Sequence, residues 1–69
     1  MDIYEDDLRA LTDAALVDQA RGKIMMARRA RGAGGWKYGL MAAACHAEML
    51  ARGKPQLWDA ALEAAKGDR

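Results

Sequence analysis

Ile3, Val17 and Ile24 are the only β-branched aliphatic residues in this chain, which has no Phe and a single Thr, while sixteen of its 69 positions are Ala. Strands draw on β-branched and aromatic side chains, and helices on Ala, Leu, Met and the long charged residues. An all-α fold is therefore expected. Alanine carries little surface, so the apolar fraction of 52% overstates the area that can be buried, and helices must approach closely to fill a core. A chain this short buries only about 60% of the surface its unfolded form exposes and often gains stability from a partner.

The punctuation divides the chain into a single small helical domain, residues 1–69. Asp2 with Glu5 has the form of a capping box, and Tyr4, Leu8 and Leu11 follow at helical spacing, so the acidic segment 1–11 is expected to hold a short helix or turn. Thr12 then reads as a fresh N-cap with Asp13 in the first turn, opening a helix over residues 12–31 that ends on Arg28, Arg29 and Arg31. The apolar stripe Leu16, Ala20, Ile24, Ala27 keeps its phase across Gly22, so that helix is read as continuous. Gly32, Gly34 and Gly35 stop it and turn the chain into a second, antiparallel helix over residues 36–52. Gly53 closes that one and Pro55 opens a third over residues 55–66. The expected architecture is a helical hairpin plus a third helix, three-helix bundle-like.

The second helix carries two apolar groups on nearly opposite sides. One holds Trp36, Leu40, Ala43, Ala47, Leu50 and Ala51; the other holds Tyr38, Met41, Ala42, Cys45 and Met49. A helix at the edge of a bundle needs one broad apolar face, so two opposed faces predict a helix sandwiched between layers. Two sources for the second layer are open: the N-terminal residues Ile3, Tyr4, Leu8 and Leu11 folding back over the Tyr38, Met41, Met49 side, or another protein chain. Met and Tyr are adaptable contact residues. The surface expected to bind a partner is accordingly Tyr38, Met41, Cys45 and Met49, extended by Met25, which points away from the main stripe of the first helix.

The net charge of +1 hides an uneven layout: residues 2–18 hold six acids and one base, residues 19–47 six bases and no acid, and the remainder four of each. Arg28, Arg29, Arg31 and Lys37 around the glycine loop form a candidate anion or nucleic-acid site, with Trp36 or Tyr38 available to stack on a base. The alternative is a helix end whose cations complement its own dipole or pair with the acidic segment. A helix-turn-helix over the second and third helices is rejected, because the would-be recognition helix presents Asp59 and Glu63 outward, where they repel phosphate.

Catalytic chemistry finds little footing. Cys45 and His46 are adjacent and so about 100° apart on a helix, no second Cys or His exists to build a zinc site, and there is no Ser. No cofactor, metal or small-molecule substrate is expected. The acidic start lacks the basic leader of a secretory signal, no run approaches a membrane span, and the lone Cys suits a reducing compartment, so a cytoplasmic protein is expected. The expected function is stoichiometric and non-enzymatic: a small regulator or inhibitor that dimerises or binds a larger host protein, of the size of many phage and mobile-element regulators, with nucleic-acid binding as the alternative.

Overall fold

A computed structural model describes residues 8–30 and 33–67. It contains three long helices: α1 (Asp13–Arg29), α2 (Ala33–Ala51) and α3 (Gln56–Gly67), preceded by helical residues 8–10, and no strand occurs among the described residues. The fold is a small all-α, bundle-like arrangement, as the composition requires. Helix α1 is central: it packs along α2 and against α3, whereas α2 and α3 meet only briefly. The Cα trace measures 31 × 30 × 15 Å. The shortest dimension is about half of the other two.

Each boundary has a local cause. Thr12 sits in extended backbone and its hydroxyl accepts a hydrogen bond from the Ala15 N–H at 3.1 Å, which starts α1 with Asp13 in its first turn. The helix passes through Gly22 without interruption and ends on Arg28 and Arg29, cations suited to a helix C-terminus. At the far end of α2, Gly53 adopts a φ of 70°, the Lys54 N–H reaches back to the Met49 carbonyl at 3.0 Å, and the Gly53 N–H reaches Leu50 at 2.9 Å. This is a Schellman closure, which glycine permits because it has no Cβ.

The hairpin differs from expectation. Helix α1 stops at Arg29 with Ala30 extended, and α2 begins at Ala33, so Gly34 and Gly35 lie in its first turn and do not turn the chain; Arg31 and Gly32 lie outside the described residues. Gly35 serves a close approach. A Cβ there would lie 2.7 Å from the Ala30 carbonyl oxygen, so only glycine lets the start of α2 pass the end of α1 at this distance.

The core consists of Leu8, Leu16, Ala20, Ile24, Ala42, Cys45, Met49, Ala61 and Ala65, with Leu16, Cys45 and Met49 its largest fully buried side chains. Four of the nine are alanines. Helix α1 contributes Leu16, Ala20 and Ile24 at four-residue spacing, and α3 contributes Ala61 and Ala65. Leu8 is buried and Leu11 packs against the cluster. Part of the N-terminal segment thus joins the Met49 side of the core, while Ile3 and Tyr4 lie outside the described residues.

Candidate functional site

Helix α2 decides where a surface for another molecule exists. Its inward side is Ala42, Cys45 and Met49, at 7%, 0% and 0% exposure, with Tyr38 and Met41 half-buried at the border. Of the surface expected from Tyr38, Met41, Cys45, Met49 and Met25, this corrects Cys45 and Met49, which belong to the core side of α2; Tyr38, Met41 and Met25 are half-buried. Cys45 and Met49 offer no surface. Tyr38 lies under the Lys23 ammonium, 5.9 Å from the ring centroid, and the half-buried Met25 accepts a hydrogen bond on Sδ from Arg21 at 3.4 Å. The physical reason is size. The buried face of α1, Leu16, Ala20 and Ile24, packs against a ridge built on Ala42 and Cys45 with one flexible Met, and Trp36 stays outside.

The other apolar group faces outward. Trp36 is 69% exposed, Leu40 53% and Leu50 54%, and Ala43, Ala47 and Ala51 between and beside them are exposed as well. The positions 36, 40, 43, 47 and 50 alternate steps of four and three, the spacing by which one helix presents a continuous apolar seam to another. Lys37 lies near its start, and at its far end Ala47 and Ala51 line a cleft with Ala44, Glu48, Leu8 and Arg9. The outward side of α3, by contrast, carries exposed Asp59, Glu63 and Lys66.

The polar side chains near the end of α2 are committed internally. Arg52 donates through Nε to Glu48 at 2.8 Å, through Nη1 to Asp13 at 2.9 Å, and through Nη2 to the carbonyls of Leu8 at 2.9 Å and Leu11 at 2.8 Å. Lys54 donates to the second oxygen of Asp13. The Lys54 and Arg52 hydrogen bonds hold the Asp13 carboxyl below its ordinary range, and the bonds to Glu48 and then Asp13 raise Arg52 further above its own. One guanidinium thereby ties the N-terminal turn, the start of α1 and the end of α2 together. His46 stacks on Trp58 of α3, ring centroids 4.4 Å apart and planes 10° from parallel. His46 and the buried Cys45 are not brought together, and no metal-holding group of His, Cys, Asp or Glu occurs among the described residues.

Of the basic group, Arg28 and Arg29 are exposed at the end of α1 and Lys37 is exposed near the start of α2, so these three share the hairpin end; Arg31 lies outside the described residues. Among the described residues no helix is long and apolar enough to cross a membrane. No protein-family model, curated protein or solved structure matches the chain significantly.

Proposed function

We propose that this protein acts by stoichiometric, non-enzymatic association with another polypeptide, as a small cytoplasmic regulator or inhibitor, and that the outward side of α2 is its contact surface. The observation that carries this reading is the concentration of exposed large apolar side chains, Trp36, Leu40 and Leu50, on one evenly spaced seam. Contiguous exposed apolar patches mark interaction sites, and aromatic anchors such as Trp supply much of the energy at protein interfaces. Cys45 is fully buried, in keeping with a small apolar core residue in a reducing compartment.

Affinity purification of the tagged chain from its native cell, beside a folded Leu40→Glu variant, tests this reading. A protein should co-elute in stoichiometric amount with the wild type and be lost from Leu40→Glu. Retention of that protein by Leu40→Glu contradicts the reading. So does recovery of nucleic acid that depends on Arg28, Arg29 and Lys37 but not on Leu40, which would favour the alternative in which Trp36 stacks on a base at the basic hairpin end.

A further inference from the structure

We infer that the occupant of this seam is a second copy of the chain, its α2 packed antiparallel on the first; the inference rests on the contact surface proposed above. The spacing of the leucines and alanines along the seam is symmetric. Leu40 and Leu50 are equidistant from the midpoint between Ala43 and Ala47, and so are Gly39 and Ala51. A two-fold axis through that midpoint sets Leu40 of each copy level with Leu50 of the other, and Ala43 level with Ala47. Leu40 and Leu50 then meet on either side and small residues meet at the centre, where the helix axes can close to about 8 Å, while Trp36 falls level with Lys54 of the other copy, just past the end of its α2. Self-complementarity of this kind is what an isologous interface requires.

Charge selects the orientation. Parallel pairing would bring the hairpin ends together, setting Arg28, Arg29 and Lys37 of one copy beside the same residues of the other. Antiparallel pairing separates them by the length of α2, roughly 28 Å at 1.5 Å per residue and several times the ~8 Å screening length in physiological salt. Each basic end then lies beside the other copy's end, where Arg9, Arg52 and Lys54 are partly offset by Asp13 and Glu48. Opposed helix dipoles favour the same arrangement. Trp36, Leu40 and Leu50 are each more than half exposed, and complete burial of this seam in both copies would remove at most ~1,000 Å², the size of a small, weak interface.

Two measurements test it. Sedimentation equilibrium of the purified wild type at high micromolar concentration should give a dimer, and Leu40→Glu should give a folded monomer. Under mild oxidation, an equimolar mixture of Leu40→Cys and Leu50→Cys chains should form a mixed disulfide dimer in several-fold excess over either variant alone, since level positions across an antiparallel pair come within bridging reach and the buried Cys45 does not compete. A monomeric wild type, or cross-linking of Leu40→Cys with itself as efficient as in the mixture, overturns the antiparallel dimer. If the wild type is monomeric yet its complex with a different protein is lost in Leu40→Glu, the second copy fails and the contact surface stands. If folded Leu40→Glu keeps its protein complex, the contact surface itself fails.

Discussion

Asp13 and Arg52 stand 39 positions apart in the chain and meet at 2.9 Å, at a junction where three separate segments end. The Arg52 side chain is only 17% exposed and spends four donor contacts there, two of them on the backbone carbonyls of Leu8 and Leu11. A planar guanidinium can serve all four acceptors at once; an ammonium cannot. Thermal unfolding should therefore rank wild type above Arg52→Lys and Arg52→Lys above Arg52→Ala. Amide exchange at Leu11, whose N–H bonds the Leu8 carbonyl at 3.1 Å, should accelerate in Arg52→Ala, because the turn loses its tie to α2. Equal stability of all three chains would contradict the clamp.

Acid should loosen the same junction. The Asp13 carboxyl is held below its ordinary value by hydrogen bonds from Lys54 and then Arg52. A group whose folded value is depressed contributes stability that is full above its unfolded value, about 3.9 for Asp, and is lost as pH falls through the folded one. The stability gap between wild type and Asp13→Asn should thus be constant near neutrality and narrow below the ordinary carboxylate range. Denaturant melts at a series of pH values read this directly; a gap that widens with acid has the wrong sign for this account.

Two glycines should respond oppositely to the same substitution. Gly22 lies inside α1, and a Cβ there meets nothing within 4 Å, so Gly22→Ala should stabilise by about 0.5–1 kcal/mol through the lower entropy of the unfolded chain. Gly35 would place its Cβ 2.7 Å from the Ala30 carbonyl oxygen, so Gly35→Ala should destabilise by ~1–3 kcal/mol as the hairpin is forced apart. Chemical denaturation of the two variants settles both signs.

Neighbouring positions on α2 should separate core from surface. Met49 is fully buried and Leu50 is 54% exposed. Met49→Ala should cost ~2–5 kcal/mol, by lost burial and the cavity left behind. Leu50→Ala should change the stability of the isolated chain by only about 0.5 kcal/mol or less, and show its effect in association instead. Comparable losses for both would mean that α2 has no free side.

Much of the architecture is legible in the residues. The scarcity of strand formers requires helices, Thr12 followed by Asp13 marks the start of α1, and Gly53 before Pro55 marks the break between α2 and α3. The start of α2 is not legible, because Gly34 and Gly35 carry the signature of a turn while Gly35 is in fact needed for a close backbone approach that only the packed hairpin reveals. The two-sidedness of α2 is visible as periodicity. Which side faces inward is not, because it depends on the groove that α1 offers. The side with Ala42, Cys45 and Met49 packs inward, leaving the bulkier Trp36, Leu40 and Leu50 outside. Likewise, nothing in the spacing announces that Arg52 reaches Leu8, since that contact spans 44 positions.

The central claim, that the outward side of α2 is covered when the protein functions, is tested most directly by the indole of Trp36. In a Trp58→Phe background Trp36 is the single tryptophan, 69% exposed in the isolated chain. Its emission should be that of a solvated indole at low concentration and shift to shorter wavelength, with saturation, as the chain is concentrated; Leu40→Glu should abolish the shift. A Trp36 emission that stays at the solvated wavelength across the whole concentration range, and also in complexes recovered from the native cell, would contradict the account.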